Sequence, residues 1–216
     1  NRKFPMLIAS RGFGKSFILS VYAILRALLM PGRKVIIVGA AFRQSKILFE
    51  YMDGIWRNSP ILRDVVGGSG GPRRGVDMCR LTIGDSTVTC LPLGDGSKIR
   101  GQRANDIIAD EFASIPREIF ENVVAGFAAV TASPVENVRR IASQKKAIEL
   151  GTVEGNEQEI DKGVGNQIIL SGTAYYDFNH FSEYWKKWKQ IIQSKGNPKR
   201  LAELFGEEEI PKAFDW

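Results

Sequence analysis

Apolar residues along the chain follow two patterns: short continuous runs, and longer segments in which they recur every three or four positions. The run at 34–40 is bounded by turn residues, as is typical of a strand buried on both faces of a parallel sheet. A shorter buried strand is predicted at 166–170, and the helical spacing predicts helices at 17–30 and 43–56. Together these patterns predict an α/β fold with a mainly parallel central sheet flanked by helices.

The stretch 78–91 is nearly symmetrical about a central Gly-Asp pair, which predicts a β-hairpin with a two-residue turn. In this register Cys79 and Cys90 lie on the same face of the hairpin. We expect both thiols to be reduced and buried in the core of a cytosolic protein. Two thiols with the lone His180 far along the chain do not make a zinc site.

The glycine-rich stretch 67–75 has too few large apolar residues to pack, so it is predicted to be a flexible loop. It is either a solvated connector or a mobile basic finger in which Arg73 and Arg74 contact a phosphate backbone. A polar, acidic loop is predicted at 151–165.

The second half of the chain is predicted to be mainly helical, with helices at 117–130, 134–150 and 198–205. A further helix carries five apolar residues at spacings of three and four, which we expect to pack in a core: Phe178, Phe181, Trp185, Trp188 and Ile192. We therefore expect a core domain at 1–176 and a small helical appendage at 177–216.

The 216 residues are 44% apolar and 25% charged, which is enough for one sizeable core. No apolar run approaches the roughly 18 residues of a membrane span, so we expect a soluble protein with no export signal and no membrane partner. Residues 1–103 hold 17 Lys/Arg and 6 Asp/Glu, whereas residues 104–216 hold 13 and 18. The basic half suits a polyanionic partner.

The stretch 6–16 joins an apolar strand, a tight glycine turn and a Lys-Ser pair that opens a helix. Glycines let backbone N–H groups face a polyphosphate, Lys15 adds a point charge, and the Ser16 hydroxyl can bind Mg²⁺. Ala9 replaces the first glycine of the usual pattern. Arg11 is either a solvated loop arginine or a second cation that stabilises charge on the transferred phosphoryl group. The predicted ATP-binding residues are Ser10, Arg11, Gly12, Phe13, Gly14, Lys15 and Ser16.

A glycine-rich basic loop at 94–103 leads into a short apolar strand that ends in two acids, a Walker B pattern. Asp110 is predicted to hold Mg²⁺, and Glu111 to polarise the attacking water. The strand at 166–170 is followed by small hydroxyl residues that could sense the γ-phosphate, Ser171, Gly172 and Thr173; a simple turn is the alternative.

These three motifs, Ser-Arg-Gly-Phe-Gly-Lys-Ser, Ile-Ile-Ala-Asp-Glu-Phe and Leu-Ser-Gly-Thr-Ala, resemble the ATPase domain of the large terminase subunit of tailed double-stranded DNA phages. The resemblance implies a RecA-like, additional-strand catalytic-glutamate fold, with the coupling strand between the Walker A and Walker B strands. It also implies that Mg²⁺-dependent ATP hydrolysis drives viral DNA into a procapsid. Among the arginines at the end of the basic loop, Arg100 resembles the family's trans-acting finger best and Arg103 is the second choice.

The implied partners are double-stranded DNA, the capsid portal protein, the small terminase subunit and further copies of this chain. The family works as a ring, commonly pentameric, on the procapsid in the cytoplasm of the infected bacterium, and we expect the isolated chain to be monomeric. The family's adenine-recognising glutamine segment and its C-terminal nuclease domain have no counterpart in these residues. We therefore expect an excised ATPase domain, with the full-length protein also acting as a nuclease.

Two other functions remain open at this point. A superfamily 2 helicase core shares an Asp-Glu Walker B motif and a Ser-Ala-Thr-like motif, but only 43 residues follow Thr173, too few for a second RecA-like domain. A nucleotide-gated DNA-binding scaffold without turnover would not need the carboxylate of Glu111.

Overall fold

The computed structural model describes residues 4–66, 70–94, 104–121, 142, 166–173, 176–195 and 197–205. Its strands are β1 (Met6–Ile8), β2 (Lys34–Gly39), β3 (Gly71–Arg74), β4 (Cys79–Ile83), β5 (Ser86–Pro92), β6 (Asp106–Asp110) and β7 (Gln167–Gly172). Its helices are α1 (Lys15–Leu29), α2 (Phe42–Asn58), α3 (Pro60–Val66), α4 (Arg117–Ile119), α5 (His180–Ser194) and α6 (Pro198–Phe205), with a 3₁₀ turn at Phe112–Ser114.

These strands form one sheet in the order β1-β7-β6-β2-β5-β4-β3. Neighbours from β1 to β5 pair in parallel, whereas β4 pairs antiparallel with both β5 and β3. The predicted, mainly parallel α/β sheet is confirmed. The predicted order is confirmed as well, because β7 lies between β1, which precedes the phosphate loop, and β6, which ends in the two acids.

The strand β2 shows why the centre of this sheet was predictable. Its alternate residues enter opposite clusters: Val35 and Ile37 join the helices α1 and α2, while Ile36 and Val38 join the cluster around Phe112. All four side chains are buried. A strand covered on both faces needs an uninterrupted apolar run, which is what the sequence has at this position.

The hairpin at β4 and β5 has the predicted register, with Cys79 directly opposite Cys90 and both thiols buried and free. Two polar side chains make hydrogen bonds to the backbone at the start of α2. Gln44 Oε1 accepts from the backbone N–H of Ala41 at 3.2 Å, and Ser45 Oγ donates to the carbonyl of Phe42 at 3.1 Å.

The predicted flexible loop at 67–75 is wrong where the structure describes it. Gly71–Arg74 forms the edge strand β3, which pairs with β4. Arg74 is not mobile, because its guanidinium donates to Asp53 Oδ2 at 2.5 Å and lies over the ring of Phe49. Composition misled here because the order of this segment comes from a partner strand and an ion pair, not from its own apolar residues.

The aromatic stripe predicted for the C-terminal helix is only partly correct. Phe181 is buried, but Phe178, Trp185 and Ile192 are 80%, 43% and 68% exposed. The side chains that pack in the cluster around Phe112 are instead Phe181, Tyr184 and Trp188, and Ile191 is buried as well. Both series fit helical spacing, and the contacts of Phe181 and Tyr184 with Phe112 select the second one.

Several predicted segments lie outside the described residues. Most of the helices predicted at 117–130 and 134–150 lies there, and so does the whole loop predicted at 151–165. The strand β7 extends two residues beyond the predicted end, so Ser171 and Gly172 belong to the sheet itself.

A buried ion cluster fixes α1 at the end of the sheet where β6 begins. Asp106 is fully buried and accepts hydrogen bonds from Arg26 of α1 at 3.0 and 2.8 Å. Arg33, which precedes β2, donates to the same carboxylate at 2.8 Å through two nitrogens. Because α1 begins at Lys15 and β6 ends at Asp110, this cluster helps to set the position of one motif relative to the other.

Candidate nucleotide-binding site

The phosphate loop connects β1 to α1 at the carboxyl end of the parallel strands. Gly12 and Gly14 have φ values of 80° and 87°, a left-handed conformation in which a side chain would be strained. The loop is held at both ends, since Ala9 N–H donates to the carbonyl of Gly172 at 3.2 Å and Ile18 N–H donates to Gly14 at 3.0 Å. The free N–H groups of the first helical turn therefore face the space in front of the loop.

Lys15 connects all three sequence motifs. Its side chain is buried, and its Nζ lies 3.1 Å from Glu111 Oε1 and 3.3 Å from Thr173 Oγ1. The structure thus brings together the phosphate loop, the end of β6 and the end of β7, from positions 96 and 158 residues apart in sequence. A cation between a carboxylate and a hydroxyl marks where a polyphosphate would lie.

Asp110 ends β6 in a buried position, and its Oδ1 has no hydrogen-bond partner among the described residues. The hydroxyl of Ser171, on the adjacent strand, is likewise buried and makes no hydrogen bond of standard geometry in this part of the chain. Burial raises the pKa of Asp110 and outweighs the nearby Ser171 hydroxyl and Glu111 backbone N–H, which lower it. Unsatisfied buried oxygens are costly unless a ligand completes them, so this carboxylate fits a hydrated cation.

Glu111 has a left-handed backbone, with φ 49° and ψ 47°. Residues other than glycine, asparagine and aspartate rarely adopt this conformation, and such strain is concentrated at functional sites. The side chain is about one third exposed, at 35%, so water can reach its carboxylate. The carboxylate thereby faces both Lys15 and solvent.

Two side chains at the start of α5 hold the turn that follows Glu111. Asn179 Nδ2 donates to the carbonyl of Ala113 at 3.1 Å, and its Oδ1 accepts from Phe181 N–H as the helix cap. His180 Nε2 lies 3.2 Å from the carbonyl of Phe112 and donates to it, because a carbonyl can only accept. Burial lowers the pKa of His180, which favours the neutral ring.

Phe181 links the same turn to β7. A Cβ added to Gly172 would lie 2.9 Å from the Phe181 ring and 3.5 Å from the backbone nitrogen of Phe112. Only glycine allows this approach without a shift of the ring. Asn179 could have been recognised as a helix cap from sequence, but its second role and that of His180 depend on contacts 66 and 68 residues away.

The other predicted site residues are placed as follows. Ser10, Arg11 and Phe13 are exposed on the loop and Ser16 is half-buried at the start of α1. Arg100 and Arg103 lie outside the described residues. Arg73 is exposed on β3, whereas Arg74 is engaged by Asp53, so the two arginines do not form one surface.

The described residues contain no group of three or more His, Cys, Asp and Glu side chains that could hold a metal ion. A site made only of Ser16 and Asp110 suits Mg²⁺, which keeps several waters and takes further oxygens from substrate phosphates. None of the helices in the described part of the chain has both the length and the apolar character needed to cross a membrane.

A glycine loop before a helix, an Asp-Glu pair at the end of one strand and a third strand between them define a RecA-like P-loop NTPase fold. Residues 6–133 match the family described as "Terminase large subunit, T4likevirus-type, N-terminal". The chain belongs to this family, which confirms the resemblance of the three motifs.

Solved structures support the same fold. The large terminase of a thermophilic bacteriophage is 12% identical with a TM-score of 0.56, over 88% of this chain and 38% of that one. The HK97 bacteriophage large terminase is 13% identical with a TM-score of 0.57, over 90% and 34%. The same thermophilic phage protein in complex with ATP-gamma-S is 14% identical with a TM-score of 0.50, over 87% and 37%. This chain thus spans little more than a third of these proteins. Among curated proteins, no sequence matches it.

Proposed function

We propose that this chain is the ATPase domain of a large terminase subunit, which hydrolyses ATP to move double-stranded viral DNA into a procapsid. The observation that carries the proposal is the contact of Lys15 with both Glu111 and Thr173. Three motifs that a phosphate-transfer site requires meet at one cation. A scaffold that only binds nucleotide would not need Glu111 in a strained backbone at this position.

Each residue has a role that its surroundings support. The loop amides and Lys15 bind the phosphates, and Glu111 accepts a proton from the attacking water once Lys15 has turned to the nucleotide. Ser16 and Asp110 would hold Mg²⁺, which supplies charge neutralisation when bound. Ser171, Gly172 and Thr173 would respond to the γ-phosphate, because Thr173 already contacts Lys15 and Gly172 packs against α5.

Steady-state hydrolysis and nucleotide binding test this assignment. Glu111→Gln should keep ATP binding but lower turnover on the order of 100-fold or more, the usual scale for a positioned general base. Lys15→Ala should weaken binding itself, which titration with a fluorescent ATP analogue measures. Unchanged turnover in Glu111→Gln would remove Glu111 from the mechanism, and the absence of any turnover in assembled parent chains would favour a binding scaffold.

We further propose that Arg100 acts on the ATP of a neighbouring copy in a ring, with Arg103 as the second choice and Arg11 assisting in cis. An arginine finger is worth roughly 1,000-fold or more in rate, so the isolated chain should be a slow ATPase. Glu111→Gln and Arg100→Ala chains should each be inactive, but mixed assemblies should regain activity. If mixed assemblies form and stay inactive, Arg100 does not act in trans.

The remaining partners follow from the same family assignment. Duplex DNA suits the basic half of the chain, where Arg73 is exposed. The capsid portal protein and the small terminase subunit are the proposed protein partners, in the cytoplasm of the infected bacterium. We propose that residues outside this chain supply the nuclease activity of the full-length protein.

A further inference from the structure

Arg73 of β3 and Arg80 of β4 lie directly opposite each other in the antiparallel ladder. Opposed residues in such a pair project from the same face of the sheet, with Cα atoms roughly 4.5 to 5.5 Å apart. Both side chains are exposed. The same face carries Thr82 and Thr87 in the next row. Two like charges at this separation repel each other and weaken the strand pair.

No carboxylate forms an ion pair with either of these arginines within the described residues. Arg80 contacts the sulfur of Met78, at 3.7 Å, and no ion pair of Arg73 occurs in the described part of the chain. The opposite face of the β3–β4 strand pair differs, because Arg74 forms an ion pair with Asp53 at 2.5 Å. Within the described residues, the arginine on the face covered by helices therefore has a carboxylate partner, whereas the two arginines on the other face have none.

Protection of the sheet edge does not explain the pair. A charge on an edge strand discourages pairing with another chain, and this accounts for Arg73 on β3. Arg80 lies on β4, one strand further in, where no edge needs protection. A repulsive pair in the ordered part of a sheet instead suits an anionic ligand that bridges both guanidinium groups.

We infer that Arg73 and Arg80 form a binding surface for the sugar-phosphate backbone of duplex DNA. Each guanidinium can bind one phosphate through two parallel N–H groups, and Thr82 and Thr87 offer hydroxyl groups beside them. Phosphate contacts position a protein on the duplex and carry no sequence information, so we expect this surface to bind unrelated duplexes alike. The inference rests on the proposed DNA-translocating function and names the surface that serves it.

The salt dependence of duplex binding tests the inference. Each lost phosphate contact reduces the slope of log K against log salt by about 0.9, so Arg73→Gln/Arg80→Gln should reduce its magnitude by about 1.8. The loss of affinity should be equal for two unrelated duplexes. The matched control is Arg63→Gln/Arg200→Gln, which removes the same charge from exposed arginines of α3 and α6 that form no ion pair within the described residues. This control should change the slope by much less.

The possible outcomes separate the inference from the proposed function. If the parent chain binds duplexes with a steep salt slope and both double variants behave alike, Arg73 and Arg80 do not form the DNA-binding surface, but the proposed DNA binding is retained. If the parent chain binds no duplex, the DNA part of the proposed function fails. If Arg73→Gln/Arg80→Gln keeps the DNA slope but loses binding to a polyglutamate peptide, the surface serves an acidic protein and the inference is overturned. Urea unfolding at low salt checks folding, and the double variant should be at least as stable as the parent.

Discussion

The two aspartates of β6 are of the same residue type, lie on the same strand and are both buried, but their surroundings are opposite. Asp106 begins the strand and receives hydrogen bonds from Arg26 and Arg33. Asp110 ends the strand, and its Oδ1 has no hydrogen-bond partner within the described residues. Burial opposes ionisation of both carboxyls. For Asp106 the two arginines outweigh burial and lower the pKa, whereas for Asp110 burial prevails and raises it.

This difference separates a residue that stabilises the fold from one that we propose binds a ligand. A buried charge with satisfied hydrogen bonds fixes the elements that supply them, here α1 and the start of β2. A buried carboxylate with an unsatisfied oxygen costs stability until something binds, and that cost is retained where function requires it.

The largest effect on stability is expected at Asp106, where the carboxylate has hydrogen-bond partners. Asp106→Ala leaves Arg26 and Arg33 buried without a counter-charge, which should lower the free energy of unfolding by about 3 to 5 kcal/mol. Urea unfolding followed by circular dichroism measures this loss. Asp64→Ala, which removes an exposed carboxylate from α3, is the control and should change stability by less than about 0.5 kcal/mol. A small loss in Asp106→Ala would mean that the cluster does not hold α1.

A smaller effect, on turnover rather than stability, is expected at the turn beside Asp110. Asn179→Asp keeps an oxygen that caps α5 but removes the N–H that holds the carbonyl of Ala113. Turnover should fall about 10-fold with little change in KM, because Glu111 is displaced but nucleotide still binds. Asn179→Ala, which removes both bonds, should also lower stability by about 1 kcal/mol. Normal turnover in Asn179→Asp would show that this bond does not position Glu111.

At Asp110, where one carboxylate oxygen has no partner within the described residues, we expect a change in stability of opposite sign to that at Asp106. Asp110→Asn keeps the shape of the side chain but removes a buried charge, so the nucleotide-free protein should be as stable as the parent or more stable by up to about 1 kcal/mol. Thermal and urea unfolding without Mg²⁺ or nucleotide measure this difference. A loss of several kcal/mol would mean that the Asp110 carboxylate is already satisfied by the protein.

The smallest effect is the pH dependence of these differences. The folded-state pKa of Asp106 is lowered, so its stabilisation is present above the unfolded pKa and is lost as pH falls through the folded value. The folded-state pKa of Asp110 is raised, so its cost falls as pH drops through that value. Unfolding at pH 7 and near pH 4 should therefore show a smaller advantage of Asp110→Asn at the lower pH. A larger advantage there would contradict the sign.

Much of the fold was predictable because its signals are local. The apolar run of β2, the symmetrical hairpin of β4 and β5 and the glycine turn before Lys15 each contain their own evidence. The motifs that contain Lys15, Asp110 and Glu111 could be found in the sequence for the same reason. The distance of 3.1 Å between Lys15 Nζ and Glu111 Oε1 could not be predicted. Motif types were visible, but the geometry of their contact depends on strand order.

What could not be predicted depends on distant partners. The strand β3 has little apolar character, and its order comes from pairing with β4 and from the ion pair of Arg74 with Asp53. The face of α5 that packs was ambiguous in the sequence. From Phe181 onward, the series with Trp185 and Ile192 and the series with Tyr184 and Ile191 both have helical spacing. The hold of His180 on the carbonyl of Phe112 has no sequence signal at all.

The most direct test of the contrast between the two aspartates is the effect of Mg²⁺ on nucleotide affinity. A slowly hydrolysed ATP analogue is titrated into the parent chain and into Asp110→Asn, each with Mg²⁺ and with EDTA. We expect Mg²⁺ to tighten binding to the parent about 10- to 100-fold, and we expect this gain to disappear in Asp110→Asn while binding in EDTA is unchanged. Full retention of the Mg²⁺ gain in the variant would show that Asp110 does not hold the metal ion.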